Sequence, residues 1–140
     1  MLFDLNGVNM PHVLVIDDDE QYLFLLKAML GRSGYEVSVA HGGKQGIEIC
    51  ESIHVDLVIT DVVMPEMEGL EVIMELKQRF SGVKIIAISG GGSNNPGNYL
   101  NLATGFGAHS TLTKPFRRVE LLETVEELLG QAGCYTQRQE

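Results

Sequence analysis

The chain has 140 residues, of which 44% are apolar and 21% charged, and a formal net charge of −9. That composition argues against disorder and fits one domain long enough to bury a core. The acidic balance, with its basic residues scattered, argues against nonspecific binding to nucleic acid or to an anionic membrane.

No apolar run approaches the roughly 20 residues that span a bilayer. The N-terminus lacks the basic and apolar regions of a signal peptide. A cytoplasmic location is therefore expected, with Cys50 and Cys134 as two reduced thiols.

Residues 1–10 mix polar and apolar side chains without a period and read as an arm, ahead of a domain expected over 11–130. Residues 12–16 are a first strand that runs into Asp17, Asp18 and Asp19. A helix is predicted from 20 to about 31, because Tyr22, Leu25, Leu26 and Met29 share one face at i, i+3, i+4 and i+7, with Leu23 and Leu30 widening the stripe. Residues 35–40 alternate and predict a half-exposed edge strand. After the His41-Gly42-Gly43 turn a short helix should run to about 52, with Ile47 and Cys50 inward.

Leu57-Val58-Ile59-Thr60 runs straight into Asp61, and Pro65 follows four positions later. A short apolar run bounded by turn signals predicts a strand buried on both faces. Its carboxylate would then lie where open α/β sheets have their ligand crevice. A helix is expected over 69–80, carrying Leu70, Ile73, Met74 and Lys77 on one stripe, and a fourth strand over 84–89 ends on Ser89. The loop Gly90-Gly91-Gly92-Ser93-Asn94-Asn95-Pro96-Gly97 is rich in glycine, which eases rearrangement beside the site. A weak helix over 98–104 leads to a short fifth strand, 110–113, that ends at Lys114-Pro115. The last helix covers 118–129, with Leu121, Leu122, Val125, Leu128 and Leu129 inward; Gly130 stops it, and 131–140 is a polar tail.

Five strand-then-helix units predict an α/β, doubly wound (βα)5 flavodoxin-like sandwich with parallel strand order 2-1-3-4-5. That order sets Asp17 and Asp18 beside Asp61, with Ser89 and Lys114 along the same rim. Such acids repel one another and call for a hard cation; Mg²⁺ prefers a few carboxylates plus retained waters. Asp61 can serve as a nucleophile, Lys114 as a mobile positive charge and Ser89 as a hydroxyl for a phosphoryl oxygen. Phosphoryl transfer asks for little beyond such positioning and charge compensation. Elsewhere, Gly105-x-Gly107-x-x-Ser110 follows a helix rather than a strand, which discounts it as a dinucleotide fingerprint, and Gly42-Gly43-Lys44 lacks P-loop spacing. His12, His41, His54 and His109 have no metal-ligand spacing.

The segments Val13 to Glu20, Asp61-Val62-Val63-Met64-Pro65-Glu66-Met67-Glu68-Gly69 and Thr113-Lys114-Pro115-Phe116 resemble the receiver domain of two-component response regulators. The resemblance implies a phosphoacceptor switch with Asp61 as the phosphorylated residue. It implies Asp18, Asp61 and the Val63 backbone carbonyl as Mg²⁺ ligands, with Asp17 acting mainly through water. Ser89 takes the switch hydroxyl position, and the Lys114-Pro115 bond is expected to be cis. The implied phosphoryl donor is a phosphohistidine on a sensor histidine kinase or a histidine phosphotransfer protein. The implied output is a changed surface on the fourth helix, fifth strand and fifth helix.

The sequence departs from the family in two ways. Many members carry an aromatic residue where this chain has Thr111, so the glycine-rich loop is expected to carry more of the switch. No output domain follows 130, which suggests a stand-alone receiver or a piece of a larger regulator. Two other readings use the same residues. A haloacid dehalogenase-type Mg²⁺-dependent phosphatase would want a second Asp where Val63 stands, and a scaffold receiver would not need the intact acid, hydroxyl and lysine set.

Overall fold

The computed structural model describes residues 10–62, 69–90 and 96–130, with side chains for all of these except 96–100. Strand and helix alternate through the described residues: β1 (His12–Ile16), α1 (Glu20–Arg32), β2 (Glu36–Ala40), α2 (Gly43–Ser52), β3 (Leu57–Asp61), α3 (Gly69–Arg79), β4 (Lys84–Ser89), α4 (Pro96–Phe106), β5 (Ser110–Thr113) and α5 (Arg118–Leu129). The strands form one parallel sheet in the order β2-β1-β3-β4-β5, as the sequence predicts.

The continuous apolar runs make sense once both sheet faces are covered. Successive side chains on a strand point to opposite faces. Leu14, Ile16, Val58, Ile85 and Ala87 accordingly pack with Ile47, Leu70, Ile73, Leu76 and Ala103 on one side. Val13, Val15, Leu57, Ile59, Ile86 and Ile88 pack with Leu23, Leu26, Leu30, Leu121 and Val125 on the other. Burying one such side chain contributes about 1.5–3 kcal/mol, so the two clusters hold the sheet as the rigid part of the molecule. β2, at one edge, is only half-buried except at Ala40.

Two helices present faces other than those expected. α1 buries Leu23, Leu26 and Leu30, whereas Leu25 is 46% exposed and Tyr22 and Met29 are half-buried. The apolar run 22–26 covers every side of a helix at 3.6 residues per turn, so spacing alone left its phase open. Packing against Val13 and Val15 settles it, and the start of the helix is set by Asp19, whose carboxylate accepts from the backbone N–H of Gln21 and Tyr22. α3 buries Leu70, Val72, Ile73 and Leu76, and turns Met74 and Lys77 outward.

The phase of α3 follows from Gly69. A Cβ there would overlap the Asp61 carbonyl oxygen and the Val62 Cα, so the first turn of the helix lies directly on the backbone that carries Asp61. Only glycine permits this approach. Gly69→Ala is expected to force α3 away from the end of β3 and to destabilise the fold by about 1–3 kcal/mol, as overpacking does. Urea denaturation measures it, and an unchanged midpoint would contradict the close approach.

Candidate functional site

β1 and β3 are neighbours with Ile16 paired to Thr60, so the residues that follow, Asp17 and Asp61, emerge side by side at the carboxyl edge of the sheet. Asp17 is 2% exposed and Asp61 8%, while Asp18 is exposed. One carboxylate oxygen from each of Asp17, Asp18 and Asp61 lies within 4.8 Å of the others. Like charges about 4 Å apart repel by about 4 kcal/mol at an effective dielectric near 20, so the cluster needs compensation.

Lys114 supplies part of it. Its Nζ lies 2.9 Å from Asp17 Oδ2 and 3.4 Å from Asp61 Oδ2. The Asp19 backbone N–H donates to Asp17 Oδ1 at 3.0 Å. Lys114 follows β5 directly, its backbone N–H donates to the Ser89 carbonyl at 2.8 Å, and its bond to Pro115 is cis, as expected. Burial works to lower the lysine's pKa, but the hydrogen bond and charge of Asp17 and the charge of Asp61 outweigh it, so the ammonium titrates above its ordinary value. The cation therefore persists across the physiological range.

Ser89 ends β4 opposite Thr113. Its Oγ is fully buried and has no hydrogen-bond partner among the described residues. Buried hydroxyls nearly always have one, so this atom is suited to an acceptor that arrives from outside. Five predicted site residues (Asp17, Asp18, Asp61, Ser89 and Lys114) thus lie at the ends of four adjacent strands. The sixth, Val63, lies outside the described residues, as does most of the glycine-rich loop. Thr111 is half-buried in β5, paired with Ala87, with no ring at that position.

One contact escaped the sequence reading. Tyr22, which the spacing assigns to the core stripe, has its ring centroid 4.0 Å from Lys114 Nζ. Phe116 meets that ring edge-on, at 5.9 Å and 86° between planes. The only available signal was position, since Tyr22 lies in the first turn of a helix that starts at the acid run.

Among the described residues, three carboxylates face one ammonium, which leaves their summed charge negative. Ligand oxygens around an octahedral ion bound at about 2.1 Å lie about 3–4.2 Å apart, so small rearrangements bring the trio onto a common centre. An all-oxygen donor set of this size fits Mg²⁺. The histidines lie apart from it: His12 bonds Ser38, His54 bonds Asp56, His41 bonds Glu20, and the His109 Nδ1 accepts from the Ile85 backbone N–H.

A 2-1-3-4-5 parallel sheet with acids at the ends of the neighbouring strands β1 and β3 defines a flavodoxin-like α/β domain with its site at the topological switch point. The chain belongs to the response regulator receiver domain family, whose model matches residues 13–126. It is 34% identical over 125 residues to the transcriptional regulatory protein GlrR of Escherichia coli K12, covering 89% of this chain and 28% of that protein. It is 33% identical over 132 residues to the transcriptional regulatory protein CpxR of Klebsiella pneumoniae, covering 93% of this chain and 54% of that one. The chain therefore spans about half, or less, of the length of these curated relatives.

Among solved structures, a CheY-like receiver domain protein from Methanospirillum hungatei JF-1 matches with a TM-score of 0.81 at 28% identity, covering 89% of this chain and 97% of that one. Chemotaxis protein CheY4 of Vibrio cholerae matches at 0.77 and 26% identity, covering 86% and 99%. The chain is thus a receiver domain of two-component signalling. No helix among the described residues is long and apolar enough to cross a membrane.

Removing a buried hydroxyl that lacks a partner relieves a desolvation penalty. Ser89→Ala should leave the unfolding free energy unchanged or raise it by up to about 1 kcal/mol. A loss of about 1 kcal/mol or more in denaturant titrations would mean that the hydroxyl already has a partner.

Proposed function

We propose that this receiver accepts a phosphoryl group on Asp61 from a phosphohistidine of a sensor histidine kinase or a histidine phosphotransfer protein. The observation that carries this reading is the convergence of Asp17, Asp18 and Asp61 within 4.8 Å, with the Lys114 ammonium 3.4 Å from Asp61. An Asp61 carboxylate oxygen attacks phosphorus, and the phosphorus–nitrogen bond breaks with its electron pair going to the imidazole of the donor. Asp17, Asp18 and Asp61 would hold Mg²⁺, with the Val63 carbonyl as a further ligand. The ion, when bound, offsets the repulsion between a carboxylate and an incoming phosphoryl group.

Lys114 and Ser89 act on the product. Lys114 offers its ammonium to one phosphoryl oxygen and Ser89 its unpartnered hydroxyl to another. Both sit at the ends of β5 and β4, next to α4 and α5, so reorientation there can reach the outer surface. That surface exposes Leu102 and Phe106 of α4 and Val119 of α5, at 45%, 43% and 46%. Large apolar side chains exposed on both of these helices support the face of α4, β5 and α5 as the partner-binding surface. Catalysis is confined to the domain's own phosphorylation and dephosphorylation.

Asp61→Asn should abolish labelling by radioactive acetyl phosphate with Mg²⁺ while the circular dichroism spectrum is retained. A folded mutant labelled as strongly as wild type would refute the assignment. Lys114→Ala should still be labelled, but it should lose most of the wild-type backbone amide shifts induced by beryllofluoride, since the cation reads the modification rather than creating the nucleophile. Equal shifts in mutant and wild type would contradict that role.

A further inference from the structure

We propose that Tyr22 is a positioning residue for Lys114, its ring face holding the ammonium where a phosphoryl group on Asp61 would meet it. The inference rests on the phosphoacceptor reading above and adds a residue to it.

A cation within about 6 Å of an aromatic centroid is attracted by the ring's negative face, and more strongly when desolvated. Lys114 Nζ lies well inside that limit, at 4.0 Å, and its side chain is only 17% exposed. The Tyr22 backbone N–H donates to the Asp19 carboxylate at 3.4 Å, within the cap of α1, and the Phe116 ring, two residues beyond the lysine, packs T-shaped against the Tyr22 ring. The turn after β5 thus supplies both the cation and the ring that steadies its cradle.

The neutral character of this anchor matters. Among the described residues, Lys114 has two charged partners, Asp17 at 2.9 Å and Asp61 at 3.4 Å. Both carboxylates belong to the trio suited to a divalent ion, so metal binding competes for the ammonium's nearest partner. A flexible lysine released in that way would spread over many rotamers. The Tyr22 ring binds no metal and brings no formal charge, so its hold survives loading of the site and adds no repulsion toward a phosphoryl oxygen. A π-face is required for this, whereas a hydroxyl is not.

The test uses the full chain with Tyr22→Phe and Tyr22→Leu. Proton NMR of the Lys114 ε-methylene should show upfield ring-current shifts in wild type and Tyr22→Phe that vanish in Tyr22→Leu. Beryllofluoride titration in Mg²⁺ should give Tyr22→Phe an affinity within about twofold of wild type and Tyr22→Leu one weaker by about three- to tenfold, the range expected for loss of a partly buried cation–π contact. Affinity for Mg²⁺ alone should be the same in all three. Wild-type affinity in Tyr22→Leu, or equal weakening in both variants, would overturn the inference and leave the phosphoacceptor reading standing. Beryllofluoride that fails to bind wild type would overturn both. If Tyr22→Leu does not fold, the wild-type spectrum still decides, since an unshifted ε-methylene would overturn the contact.

Discussion

The Lys114 ammonium between Asp17 and Asp61 is the interaction on which the site depends. Two carboxylates that are nearly excluded from water and adjacent in space repel each other, and a positive partner between them offsets that repulsion. The lysine reaches them from the end of β5, two places along the sheet from β3 and three from β1, across 97 residues of sequence from Asp17. Everything else about the domain serves to hold that meeting point still. The core on both faces fixes the strands, Gly69 lets α3 close onto the end of β3, and the backbone bond from Lys114 to Ser89 ties β5 to β4 at the rim.

The same arrangement bears on the proposed switch. One lysine does not neutralise three acids, so the pocket keeps an unmet demand for positive charge. The Ser89 hydroxyl, desolvated without a partner, is an unmet demand of a second kind. A divalent ion and an anionic group together answer both, and neither alone does so.

Strands and their order were legible because a strand buried on both faces is a continuous apolar run, and the acids and the hydroxyl fall at the ends of three such runs, while Lys114 ends the short, more polar β5. Helix faces were less legible. Tyr22 to Leu26 and Val72 to Met74 are apolar neighbours whose spacing suits more than one phase, so Leu25 and Met74 were assigned inward and are exposed. Only contact with particular strand residues removes that ambiguity. The role of Tyr22 was hidden for a related reason, since an aromatic in an apolar stripe has no sequence mark that tells core packing from a seat beside a cation. The absence of a ring at Thr111, by contrast, was plain from counting back from Lys114.

The central claim is that the acid trio, once a divalent ion offsets its charge, makes Asp61 a phosphoryl acceptor, with Lys114 engaging the group that is added. Intact-mass spectrometry of the wild-type chain after acetyl phosphate, with Mg²⁺ and with the ion chelated, tests this most directly. The account predicts a gain of one phosphoryl group with Mg²⁺ and little or none without it. Equal gain in both samples, or none in either from folded protein, would contradict it.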